Sequence, residues 1–213
     1  MATMRPLPIA EALALLDKFS PKYAALAALG ITTGARISEL LTLRRCDLIL
    51  NGEIKDKISI VKLKTGCGRA LTAAAEPSKR RVTRRLLVIP KEIHPYLVAH
   101  LYAEARRGYV KPDDFVFRGR NGQAMQRQAA GQYFKQFLGL KHGTHWMRKT
   151  FAGRMIDTFK EEHKGDTIQA ARAVQRLLGH RQLETTLRYL QFDNERSDEI
   201  VRDAWSRAFS PKS

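Results

Sequence analysis

The chain has 213 residues, with 38 Lys plus Arg against 21 Asp plus Glu and a formal net charge of +17. Polyphosphate is the expected partner of such a surface, DNA and RNA being equally open on charge alone, while 44% hydrophobic residues suffice for an ordinary core. No apolar run reaches membrane-helix length and MATMRPLPIAEALALL lacks the features of a secretory signal, so membrane and exported classes are excluded and a cytoplasmic location is expected.

After Pro8, apolar residues at helical spacing predict a helix over Ile9 to Phe19, and Lys22 to Leu29 predicts a second one closed by Gly30. Ala35 to Leu43 is the third predicted helix. Asn51-Gly52 is a turn signal, Lys57 to Leu63 alternates as a strand should, and Arg85 to Ile89 is a second strand stopped by Pro90. The two strands form a hairpin with a long connection. Within it, Gly66 to Arg84 is the least structured-looking segment and reads equally as a solvated loop or a DNA-contacting one. Further helices are expected near Lys91 to Arg106, Met125 to Leu138, His145 to Phe159, Thr167 to Leu178, Leu183 to Tyr189 and Asn194 to Phe209. The expected fold class is mainly α with a small antiparallel β-hairpin, and neither a repeat nor a composition break marks a second domain.

Cys46 and Cys67 form neither a CxxC pair nor a zinc pattern, so the plain reading is a reduced protein. The chemistry lies elsewhere. Arg36 sits in TTGARISELLTLRRCDL, Lys64 in VKLKTG, His145 and Arg148 in GTHWMRKTF, and His180 and Tyr189 in VQRLLGHRQLETTLRYL. A phosphodiester repels nucleophiles, and cleaving it without a metal requires fixed cationic donors on its nonbridging oxygens. Arginine suits this, since its planar fork is always charged and grips phosphate bidentately. Arg36 is expected in the first turn of its helix, with Glu39 three residues on to hold its fork in place. Thr144 is a predicted N-cap, which sets His145 and Arg148 on one face of the next helix, and Trp146 and Met147 read as core. His180 follows Gly179 just past a helix end. Taken singly, each residue has an ordinary explanation: an exposed Arg/Glu pair, a histidine bonded to terminal carbonyls, a half-buried tyrosine.

Together, in this order and in these settings, the six residues resemble the catalytic domain of the tyrosine recombinases, the phage-integrase family. The resemblance runs from about Leu7 to Phe209 and is most specific in LLGHRQLETTLRYL. It implies that Tyr189 attacks the scissile phosphate to give a 3′-phosphotyrosyl enzyme and a free 5′-hydroxyl. It further implies that Arg36, Arg148 and His180 hold the phosphate oxygens, that His145 assists removal of the tyrosine proton, and that Lys64 protonates the leaving 5′-oxygen, with Lys62 as the competing lysine. No cofactor follows from it, neither ATP nor a divalent metal. The implied partners are double-stranded DNA, further copies of the chain in a tetramer on paired sites, and accessory DNA-bending proteins. Because the resemblance begins almost at Met1, residues 1–213 are expected to be a single catalytic domain without the helical domain that precedes it in most members. A type IB topoisomerase-like nicking and resealing enzyme, or a non-catalytic DNA-binding regulator on the same fold, remain the alternatives.

Overall fold

The computed structural model describes residues 7–62, 83–139, 143–163, 165–179 and 182–187. The chain divides into two compact units, one of residues 7–151 and the other of residues 1–6 with 152–213. The fold class is the expected one: mostly helical, with small antiparallel sheets.

The first unit is built around α2 (Pro21–Thr33), following α1 (Ile9–Leu16). Its sequence, PKYAALAALGITT, is apolar on every side, and residues from Ala24 to Ile31 are accordingly buried, as a central helix requires. Ser20 precedes it and Pro21 fills its first position, where the missing N–H costs nothing. The predicted stop at Gly30 is not the stop. The helix runs one turn further to Gly34, which takes the left-handed φ of 60°. Gly30 serves packing instead: a Cβ there would lie 2.5 Å from Met147 Sδ and 2.9 Å from Met147 Cβ.

α3 (Ile37–Leu40) occupies only the middle of the helix expected over Ala35 to Leu43, and a second short helix, α4 (Arg45–Leu48), follows beyond it. Asn51 and Gly52, with φ of 52° and 83°, make the tight turn between β1 (Ile49–Leu50) and β2 (Glu53–Ile54). The main hairpin pairs β3 (Lys57–Lys62) with β4 (Thr83–Val88), in a register that sets Ile58 opposite Leu87 and Ile60 opposite Arg85. Ile58, Ile60, Leu87 and Ile89 are buried, whereas Leu86 and Val88 point outward. The connection between the strands, which includes Lys64, lies outside the described residues. After a 3₁₀ turn (Lys91–Ile93) come α5 (His94–Ala105), whose buried Leu97, His100, Leu101 and Glu104 accompany its packing on α2, and α6 (Arg127–Leu138).

α7 (His145–Glu162) begins in the first unit and continues in the second. The second unit adds α8 (Thr167–Leu178) and α9 (Leu183–Leu187). Asp166 caps α8 by accepting from Ile168 N at 2.9 Å and Gln169 N at 3.0 Å, and Ala170, Ala171, Val174 and Leu178 form its buried face. Gly179, with φ of 63°, ends it in the sharp turn expected there. His180, Tyr189 and the helix expected over Asn194 to Phe209 lie outside the described residues.

The Gly30–Met147 contact has a direct consequence for stability. Alanine exceeds glycine in helix propensity by about 1 kcal/mol, but overpacking costs about 1–3 kcal/mol. Because the clash reaches Met147 Cβ, which cannot swing away, Gly30→Ala is expected to lower the urea midpoint. An unchanged or raised midpoint would show that Met147 yields freely.

Candidate active site

The site residues of the first unit gather at the turn from α2 into α3. Gly34 donates its N–H to Gly30 O at 3.1 Å, and Ala35 N–H is taken by the Thr33 hydroxyl at 3.2 Å. Arg36 then stands extended just before α3, not in its first turn. A four-residue helix has little dipole to offer, so the orientation of Arg36 comes from Glu39. The Glu39 carboxylate accepts Arg36 N–H at Oε2 (2.8 Å) and meets Arg36 Nη1 at Oε1 (3.2 Å). One acid thus pins backbone and guanidinium of the same residue, and the predicted pairing of Glu39 with Arg36 is present. The Arg36 side chain remains 38% exposed, open to an anion.

A second arginine on this carboxylate was not anticipated. Arg85 Nη2 lies 3.4 Å from Glu39 Oε2, with its side chain only 19% exposed. Sequence separation hides the pair. The signal that could have found it is strand alternation: Arg85 shares the inward face of β4 with Leu87, and a charge on an inward face requires a partner.

Arg148 reaches the same turn from α7. That helix begins at His145, directly after Thr144, so His145 and Arg148 lie one turn apart on one face. Between them Trp146 and Met147 are buried, as read from sequence. Arg148 is itself buried and donates from Nη1 to the carbonyl of Gly34. The two arginines are therefore tied to one short segment, Arg36 through its own N–H and Arg148 through a carbonyl two residues earlier.

His145 stands at the start of α7 and is exposed. Partial desolvation of its ring, and then the charges of Arg148, Lys149, Arg127 and Arg36, hold its pKa below the ordinary value of 6.5. The ring is consequently neutral near pH 7 and able to take up a proton. The structure brings Arg36, Glu39, His145 and Arg148 into one unit; Lys64, His180 and Tyr189 lie outside the described residues. Among the described residues, no three His, Cys, Asp or Glu gather so as to hold a metal ion, and no helix is long and apolar enough to cross a membrane.

Residues 7–196 match the model of the phage integrase family. A tyrosine recombinase XerC of Methylobacterium sp. (strain 4-46) is 30% identical over 220 residues, covering 96% of this chain and 59% of the relative. A second XerC, from Nitrobacter winogradskyi, is 28% identical over 190 residues, covering 87% of this chain and 50% of the relative. The chain thus spans between 41% and 59% of the length of the curated relatives it matches. Among solved structures, the XerH site-specific recombinase bound to palindromic difH substrate superposes with a TM-score of 0.58 at 22% identity, over 92% of this chain and 52% of that one. The Tn1549 transposon integrase in complex with circular intermediate DNA gives 0.56 at 21% identity, over 88% and 62%. At these identities the likeness is one of fold.

The electrostatics of His145 are testable without substrate. Its ring should titrate below 6.5 when followed by NMR. Arg127→Ala, which removes one exposed contributor, should move the midpoint upward. Since the folded pKa is the lower one, the unfolded chain takes up the proton first as pH falls. Stability should therefore decrease from the ordinary histidine pKa down to the folded value, and His145→Gln should flatten that stretch. A midpoint at or above 6.5 would remove the neutral ring from the site.

Proposed function

Because the chain belongs to the phage integrase family, we propose that it is a site-specific DNA recombinase that cleaves and rejoins strands through a 3′-phosphotyrosyl intermediate. The observation that carries this reading is the convergence of Arg36 and Arg148 on one backbone turn beside a histidine held neutral. A diester in flight to its pentacoordinate transition state keeps its negative charge on the nonbridging oxygens. Two guanidiniums fixed beforehand stabilise that charge without reorganising at the moment of reaction.

In the proposed reaction Tyr189 Oη attacks phosphorus, the bond from phosphorus to the 5′-oxygen breaks, and the 3′-phosphate stays on the tyrosine. Arg36, Arg148 and His180 hold the nonbridging oxygens. His145 receives the phenolic proton, and Lys64, with Lys62 as its competitor, returns one to the 5′-oxygen. A phenol with an ordinary pKa of about 10 is a poor nucleophile at neutral pH, and clustered cations lower the cost of forming phenolate. The phosphotyrosine stores the bond energy, so another strand's 5′-hydroxyl can reseal the break with neither ATP nor metal. Residues 1–213 act in this reading as the catalytic domain, on double-stranded DNA in the cytoplasm, in a tetramer assembled on paired sites and with accessory DNA-bending proteins. The net charge of +17 supports the partner.

The nucleophile has a direct test. Tyr189→Phe should bind DNA as the parent does, yet form no covalent adduct on a nicked suicide substrate. An adduct that survives in this variant and disappears on changing Tyr23, Tyr96, Tyr102, Tyr109 or Tyr133 would overturn the assignment.

The leaving-group proton is tested by chemistry. A positioned general acid contributes about 10² to 10⁴ in rate, and a 5′-bridging sulfur departs as thiolate without needing it. Lys64→Ala should be slow on normal DNA and largely restored on the 5′-thio substrate, whereas Arg36→Ala should stay slow on both. Rescue of Lys62→Ala in place of Lys64→Ala would transfer the role to Lys62.

A further inference from the structure

Glu39 holds two arginines, and the reaction described above uses one. Its Oε1 faces Arg36 Nη1 at 3.2 Å, while its Oε2 accepts Arg36 N–H at 2.8 Å and meets Arg85 Nη2 at 3.4 Å. The cluster of two guanidiniums and one carboxylate carries a net charge of +1. Without Arg85 the sum is zero, and the carboxylate that orients Arg36 also cancels it. The setting preserves the difference: the Glu39 side chain is 11% exposed and that of Arg85 19%, so water screens little of their pairing, while Arg36, at 38%, is screened more. Burial lowers the Arg85 pKa, Glu39 opposes the change and Arg36 adds to it, so the three groups feel one another directly.

Backbone geometry supports a built arrangement. Arg85 lies opposite Ile60 on the inward face of β4, with buried Leu87 two residues on. An arginine placed there gives up water and takes the carboxylate of Glu39 as a partner.

We propose that Arg85 is a positioning residue for the strand-transfer reaction: by sharing Glu39 it leaves Arg36 both oriented and positively charged for the scissile phosphate. The inference rests on the recombinase reading. Arg85 does not touch the phosphate; it sets how much of the Arg36 charge the phosphate meets.

The test compares covalent-adduct formation by the 213-residue chain on two nicked suicide substrates. One carries a normal scissile phosphodiester and the other a neutral methylphosphonate at that position. A direct oxyanion donor contributes about 10² to 10³ in rate; Arg85→Ala, acting one step removed, should slow the normal substrate by roughly tenfold. On the methylphosphonate, which lacks the diester's negative charge and so leaves Arg36 less to stabilise, Arg85→Ala should approach the parent rate, as should Arg36→Ala. Arg85→Lys, which keeps the charge, should retain most of the activity on both substrates. A merely structural role would instead give the same loss on both substrates, or leave Arg85→Lys as slow as Arg85→Ala, and either result overturns the proposal. Should Arg85→Ala fail to fold, Arg85→Gln keeps the length without the charge and carries the same comparison. If Arg36→Ala is rescued by the methylphosphonate and Arg85→Ala is not, this inference alone fails. If the parent chain forms no Tyr189 adduct on either substrate, the recombinase reading fails with it.

Discussion

Three polar groups of the backbone between Gly34 and Arg36 decide how this site is assembled. The Gly34 carbonyl receives Arg148, the Ala35 N–H is retained by Thr33, and the Arg36 N–H is taken by Glu39. A helix of ordinary length would have consumed these groups internally. Ending α2 at a left-handed glycine and beginning α3 only at Ile37 frees them for side chains. The interruption between the two helices is thus what allows residues more than a hundred positions apart to be fixed to one segment.

Composition explains why the acids are shared. With 38 basic and 21 acidic side chains, carboxylates are the scarce partner. Buried Glu104 serves Lys22 at 3.9 Å and Arg107 at 3.2 Å, as Glu39 serves Arg36 and Arg85. The two clusters differ in surroundings. Arg107 is 65% exposed, where water screens most of the interaction, whereas Arg85 is 19% exposed. Asp114 binds Arg118 at 2.6 Å, and Arg118 also lies 3.5 Å above the Tyr109 ring. Lys22, Arg107 and Arg118, away from the candidate site, are in this way tied into structure, and Arg36 keeps an exposed face.

Much of this was legible in the residues. The element order follows from helical spacing and strand alternation, the turn at Asn51 from its dipeptide, and the pairing of Arg36 with Glu39 from their separation of three. The boundaries of α2 and α3 were not legible. Gly30 and Gly34 are equally good helix ends locally; the helix ends at Gly34, which takes the left-handed φ, while Gly30 leaves space for Met147, distant in sequence. Arg85 escaped for the same reason: its partner is 46 positions away. Short elements such as α4 and the β1–β2 pair carry too few residues to show a period. The roles of Lys64, His180 and Tyr189 rest on sequence motifs, since these residues lie outside the described part of the chain.

The β3–β4 hairpin adds something beyond holding Arg85. Strand pairing has a period of two, so a slip by a single residue exchanges every inward and outward side chain. A slip in one direction would carry Leu86 to the carboxylate of Glu39 and turn Arg85 to solvent, leaving a partly buried acid facing hydrocarbon, whereas a slip in the other would offer it Arg84. Leu86 and Val88 are apolar like Leu87 and Ile89, so hydrophobicity discriminates weakly between the two registers. The contact with Glu39 adds a polar preference that hydrophobicity does not supply, opposing the slip that would set Leu86 against the carboxylate.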